Sequence, residues 1–125
     1  MKKIAHQNFD MWNKALLTRD ARKVAELYSD DCTFLPTMLG EFKKGRAGAE
    51  AYFHHFLEKH PSGKIVLDEV QELGPDCYLH SGHYNFELGP KDQRTSTEAR
   101  FTYVWKKDKK DNWKIVHHHS SVRPK

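Results

Sequence analysis

The sequence has few cysteines, Cys32 and Cys77, in a chain of 125 residues. Two cysteines with no framework spacing exclude a disulfide-stapled scaffold, and free thiols suit a reducing, cytoplasmic compartment. No stretch approaches the roughly 20 apolar residues of a membrane-spanning helix, so no membrane partner is expected. The opening residues Met1 to Asn8 lack the apolar core of a secretory leader. Neither sign of charge dominates: 21 basic minus 17 acidic residues leaves +4. The basic runs at Lys106–Lys110 and Lys43–Arg46 fall in turn-like stretches and read as solvated loops, so no nucleic-acid partner is expected. There is no repeat, no linker and no low-complexity segment.

What the chain does have is periodic apolar content, 38% hydrophobic residues of which the aromatics alone make up 12% of the sequence. That composition rules out intrinsic disorder. The length suits one domain over residues 1–125, and a domain of this size buries about two-thirds of its unfolded surface without staples.

Ala5, Phe9, Trp12 and Leu16 recur at steps of three and four and predict a helix over Ile4–Leu17. Asp20 is an N-cap for a second, short helix carrying Val24, Ala25, Leu27 and Tyr28. Cys32–Leu35 reads as a strand stopped by Pro36. A loop follows from Met38 to Gly45, with a brief strand at Glu41–Lys43. Arg46–Lys59 predicts the clearest helix, its stripe formed by Ala49, Tyr52, Phe53, Phe56 and Leu57, and Pro61-Ser62-Gly63 stops it. The period then changes to two. Lys64–Leu73, Cys77–Leu88, Thr95–Lys106 and Trp113–Val122 predict four strands joined by polar turns. Gly82 inside the second marks a bulge or a close backbone approach. A meander needs a cover on one face, so the expected architecture is α+β: helices packed on a curved antiparallel sheet, with a pocket between them.

The densest polar cluster is His117-His118-His119-Ser120-Ser121, late in the last strand. Alternation puts His117, His119 and Ser121 on one face and Val116, His118 and Ser120 on the other. At least one histidine must therefore face the covered side, and the pattern alone leaves open which. Two histidines at i and i+2 can share an ion, but zinc ordinarily takes three or four protein ligands. The other histidines, His80 and His83 included, show no matching spacing, so neither a metal nor a cofactor is expected. Subunit contacts or ordinary hydrogen bonds also account for so many histidines. Thr37 follows a strand end, where pockets form and where threonines also stabilise turns. Tyr52 lies on a buried stripe, where a hydroxyl normally finds a partner. Tyr84 sits mid-strand, and Arg100 alternates with Phe101 and Tyr103, which puts Arg100 on the outer face.

These residues, taken in order, carry a resemblance. Phe9-Asp10-x-Trp12-Asn13, Val24-Ala25-x-Leu27-Tyr28, Leu35-Pro36-Thr37, Tyr52-Phe53-x-x-Phe56-Leu57, Ser81-Gly82-x-Tyr84-x-Phe86, Ala99-Arg100-Phe101-Thr102-Tyr103-Val104 and Trp113-x-Ile115-Val116-x-His118-His119-Ser120-Ser121 resemble the association (hub) domain of calcium/calmodulin-dependent protein kinase II. That family belongs to the nuclear-transport-factor-2-like superfamily of cone-shaped α+β domains. The histidine-serine ending most resembles the iota class of carbonic anhydrases. The resemblance implies reversible hydration of carbon dioxide, in some members without metal. It places bicarbonate on hydroxyls at the positions of Thr37, Tyr52 and a serine, Ser120 or Ser121. Tyr84 joins them as a candidate for binding substrate, and without a metal a general base must polarise the attacking water, for which His118, of a residue type that titrates near 6.5 when unperturbed, is the expected choice. It also implies a homodimer or a larger ring-like homo-oligomer. The chain departs from the family pattern at Met38-Leu39-Gly40-Glu41 and at Val122-Arg123-Pro124, both beside the implied pocket. Two other functions are open within the same superfamily: a non-catalytic oligomerising module, and a small-molecule-binding or isomerase-like enzyme with a carboxylate base, for which Glu69, Glu87 and Glu98 are the strand carboxylates.

Overall fold

A computed structural model describes residues 1–124. The first apolar stripe forms α1 (Lys2–Leu17), burying Ala5, Phe9, Trp12 and Leu16. Asp20 caps α2 (Ala21–Ala25), its carboxylate accepting the Arg22 N–H at 3.0 Å. This helix is shorter than its apolar spacing predicts. The Leu27 carbonyl accepts the Ile115 N–H at 2.7 Å, so pairing with the last strand draws the chain out of the helix. Tyr28 therefore opens β1 (Tyr28–Leu35) instead of closing α2, and the strand begins four residues ahead of the expected Cys32.

β2 is only Lys43–Lys44, and α3 (Gly45–Phe56) continues as a 3-10 turn, Leu57–Lys59. That turn ends at His60, in the left-handed region with φ of 54°, just before the predicted Pro-Ser-Gly stop. β3 (Ser62–Gly74), β4 (Cys77–Leu88), β5 (Thr95–Lys107) and β6 (Trp113–Val122) follow nearly as the alternation predicts. The sheet order is β2-β1-β6-β5-β4-β3. β3 to β6 form the expected antiparallel meander. β1 lies parallel to β6, so the sheet is mixed rather than wholly antiparallel.

One face of this curved sheet takes the helices. Tyr78, His80, Tyr84 and Phe86 of β4 and Ala99, Phe101, Tyr103 and Trp105 of β5 are buried there. Trp12 from α1 and Phe53 and Phe56 from α3 close over them. Membership of the inner face depends on two irregularities. In β6, Val104 pairs with His117 but Trp105 pairs with Ile115, which leaves Val116 as the extra residue of a bulge. Ile115 thereby joins His118 and Ser120 inside, in the place that simple alternation assigns to Val116. In β3, Ile65 pairs with Tyr84 and Leu67 with His83, so Val66 is the extra residue. Beside it, Gly82 approaches β3 so closely that a Cβ would stand 2.0 Å from the Leu67 carbonyl oxygen.

Candidate functional site

His118 lies at the centre of the inner face. Its ring stacks on Tyr103 at 4.1 Å between centroids and on Phe34 at 4.9 Å, with Trp12 edge-on at 5.8 Å. Parallel pairing sets Phe34 beside it, and antiparallel pairing sets Tyr103 on the other side. Both ring nitrogens are taken. Nδ1 lies 2.8 Å from the Tyr28 hydroxyl and Nε2 lies 3.2 Å from the Tyr84 hydroxyl. The Tyr84 hydroxyl in turn donates to Ser120 Oγ at 2.5 Å, and Ser120 is hydrogen-bonded to Thr37.

The direction of this chain follows from its inner end. The Trp12 indole N–H, which is a donor only, lies 3.1 Å from the Tyr28 oxygen. Tyr28 accepts it and spends its single proton on His118 Nδ1. The neutral imidazole then carries its proton on Nε2 and donates to Tyr84. Tyr84 donates to Ser120, Ser120 to Thr37, and the Thr37 proton is left for the mouth of the site. Burial raises the Tyr28, Tyr84 and Tyr52 phenols above their ordinary values, so all three stay protonated donors at neutral pH. Tyr52 stands on the other side of Thr37 and accepts the Met38 N–H at 3.3 Å.

The structure thus brings together Thr37, Tyr52, Tyr84, His118 and Ser120, and adds Tyr28 and Trp12. Two expectations change, for Ser121 and His118. Ser121 lies outside the hydrogen-bonded cluster, its hydroxyl accepting from Arg100 at 3.3 Å on the outer face, where Arg100 lies as predicted, although Ser121 lines the same open groove as Ser120. His118 is not placed to take a proton from water, because it is fully buried and both nitrogens are bonded. Burial, and then the charges of His117 and His119, hold it well below the usual histidine range. Its tautomer is fixed by Tyr28, and its Nε2–H carries the polarity on to Tyr84. The strand carboxylates Glu69, Glu87 and Glu98 are all exposed, so none of them faces these hydroxyls. Tyr28 escaped sequence reasoning because it stands at helical spacing from Val24, and nothing local marks the pull of β6.

A neutral buried histidine makes folding sensitive to acid. The unfolded chain binds a proton here below pH ~6.5, and the folded chain does not until much lower. The contribution is therefore complete above that value and is lost as pH falls, at about 1.4 kcal/mol per pH unit for one proton. NMR of the imidazole resonances from pH 8 to 5 should show His118 neutral throughout while stability declines. A titration midpoint near 6.5 would contradict the buried assignment.

Access is governed by the segment 36–42. On its Tyr52 side lies a cavity of about 290 Å³ lined by Met38, Leu39, Tyr52, His55 and Phe56, with Glu41, Lys43 and Lys59 among the polar residues. On its Ser120 side lies a wider, open groove reaching Thr37 and Ser120. Met38, Leu39 and Glu41 line both, whereas Tyr84 and His118 line neither. A small ligand can approach Thr37 and Ser120 from the open groove and exchange their mutual bond for its own. The arrangement offers hydroxyl donors to a small oxyanion.

Of the histidine run, His117 is bonded to Thr33 at 2.7 Å and His119 is exposed, both on the outer face. Among the described residues, the grouping with metal-ligating geometry is elsewhere: His6, Asp68 and His80.

The family model described as the calcium/calmodulin dependent protein kinase II association domain matches residues 2–124. A crystal structure from Xanthomonas campestris, described as an association domain of that kind, is 39% identical with a TM-score of 0.92, over 98% of this chain and 87% of that one. A nuclear transport factor 2-like superfamily protein from Salmonella enterica is 20% identical with a TM-score of 0.81, over 99% and 92%. A Streptomyces avermitilis protein of the same superfamily, described as a dehydratase, is 14% identical with a TM-score of 0.82, over 97% and 94%. These last two show a shared fold. No curated protein matches the chain.

Proposed function

Because this chain belongs to the calcium/calmodulin-dependent protein kinase II association domain family, we propose that it is a carbonic anhydrase of the iota-like kind, a lyase that hydrates carbon dioxide to bicarbonate with side-chain hydroxyls rather than a metal. The observation that carries this reading is the polarised chain from His118 through Tyr84 and Ser120 to Thr37, with Tyr52 beside its end.

Water oxygen adds to the carbon, one carbon–oxygen π bond breaks, and negative charge develops on the former carbon dioxide oxygens. Thr37, Ser120 and Tyr52 donate hydrogen bonds to that charge. Preorganised donors of this kind contribute about 3–4 kcal/mol each where they have been removed singly. Tyr84 holds Ser120 in place. The proton lost by the water passes to solvent through the Tyr52-side cavity, where His55 and Glu41 stand. Phe34 and Phe56 give the site the apolar walls that suit carbon dioxide. Zinc enzymes lower the pKa of bound water from about 15.7 to about 7. Without that help, turnover depends on hydroxide supply and should rise with pH.

The test is stopped-flow hydration with purified protein before and after exhaustive chelation. Activity that survives chelation and rises from pH 7 to 9 is the expected result. Activity lost on chelation, or none in either state, would overturn the reading.

The second reading is an oligomerising module, favoured by Val66, Leu67 and Leu73, all more than half exposed on β3. A homodimer or larger ring would cover them. Light scattering that shows a defined assembly from a protein without hydration activity would leave this account standing. The isomerase-like reading loses its support with the exposure of Glu69, Glu87 and Glu98.

A further inference from the structure

His6, Asp68 and His80 come from α1, β3 and β4 and converge on one oxygen. Asp68 Oδ2 lies 2.6 Å from His6 Nε2 and 2.7 Å from His80 Nε2. The ligand atoms of all three residues lie within 4.8 Å of one another. The local fold arranges this. Asp68 pairs with Gly82 across β3 and β4, and so shares the inner face with His80. The side chain that Gly82 lacks lets the β3 backbone at Leu67 and Asp68 come close to β4. The His80 side chain is fully buried and packed edge-on against Phe101 at 5.2 Å, whereas the His6 side chain is 47% exposed.

We propose that His6, Asp68 and His80 form a binding site for a divalent transition metal of the zinc class, with one coordination position open to solvent on the His6 side. Two imidazoles and one carboxylate are the donors that zinc, cobalt and nickel take, whereas magnesium and calcium favour all-oxygen sets. Neither cysteine belongs to the group, which disfavours soft ions. Zinc bonds of about 2.0–2.1 Å in tetrahedral array space the ligand atoms about 3.3 Å apart. The present contacts need open by only about 0.6–0.7 Å on that geometry, and rotation of His6 and Asp68 supplies this. His80 Nδ1 has no hydrogen-bond partner among the described residues. Second-shell support of a ligating histidine is worth 10–100-fold in affinity, so micromolar rather than nanomolar binding is expected. The site is separate from the hydroxyl chain: Tyr103 pairs with His80 on one side and with His118 on the other. It does not rest on the proposed activity.

The test uses the full chain stripped with chelator and titrated with cobalt(II), read by visible d–d absorption, with zinc measured by displacement. The expected result is one cobalt per chain, displaced by zinc, with affinity reduced at least tenfold in His6→Ala and in Asp68→Asn and unchanged in His119→Ala. Circular dichroism of His6→Ala checks folding, and its exposed position predicts no change. Absence of saturable binding at millimolar metal would overturn the proposal. So would binding that survives either substitution, or binding that falls in His119→Ala.

Discussion

Ser120→Ala should lower carbon dioxide hydration by about 10²–10³-fold, the cost typical of losing one preorganised donor to a developing oxyanion. Ser120 Oγ is the atom through which Tyr84 reaches Thr37. Without it the Tyr84 hydroxyl loses its acceptor inside the core, and the Thr37 proton loses its orientation. An orphaned buried hydroxyl costs about 1–3 kcal/mol, so urea denaturation should show a folded but weakened protein. Ser121→Ala is the matched comparison. Its hydroxyl meets Arg100 on the opposite face, so rate and stability should both stay near those of the parent. A folded Ser120→Ala protein with an undiminished rate would remove the hydroxyl chain from the chemistry. An equal loss in both serine variants would mean that the wrong face of β6 has been assigned.

Gly82→Ala should cost more than about 4 kcal/mol, which few single substitutions reach and which is a large share of the 5–15 kcal/mol that holds a domain of this size. The added methyl would stand 2.0 Å from the Leu67 carbonyl oxygen and 2.8 Å from Asp68 Cα. Both are backbone atoms of the neighbouring strand, so no rotamer change relieves the overlap. β3 would have to leave β4, and the ladder from Ser62 to Gly74 would go with it. Denaturant melts should show the loss, and hydrogen exchange should place it first in the β3 amides. A variant melting within a few degrees of the parent would show that the strands yield more cheaply than this contact implies.

The order of elements was legible because its signals are local. Stripes at three and four residues marked α1 and α3, and alternation marked β3 to β6 to within about two residues. Thr37, Tyr52, Tyr84 and Ser120 were reached by joining those periods to the family resemblance. The rest required knowledge of which strands pair. Tyr28 looks helical until the Leu27 carbonyl meets β6. The base role expected of His118 rested on the ordinary titration of an unperturbed imidazole near 6.5, and only the assembled core shows Trp12 ordering Tyr28 and Tyr28 occupying Nδ1. His6, Asp68 and His80 are spread over three elements, and no spacing rule links residues that a fold brings together from that range.

The extra residue at Val116 makes the last strand a counting device. Upstream of it, odd-numbered positions look inward, as at Ile115; downstream, even-numbered ones do, as at His118 and Ser120. The same ten residues therefore contain two possible interiors, one offering His118 with Ser120 and the other His117, His119 and Ser121. With Ile115 held inward, straightening the bulge while keeping Val116 would exchange one for the other, whereas deleting Val116 would keep Ile115, His118 and Ser120 on one face. In comparing relatives of this chain, gap placement in the last strand thus carries as much chemical meaning as residue identity, and an alignment shifted by one position would assign the wrong side chains to the core.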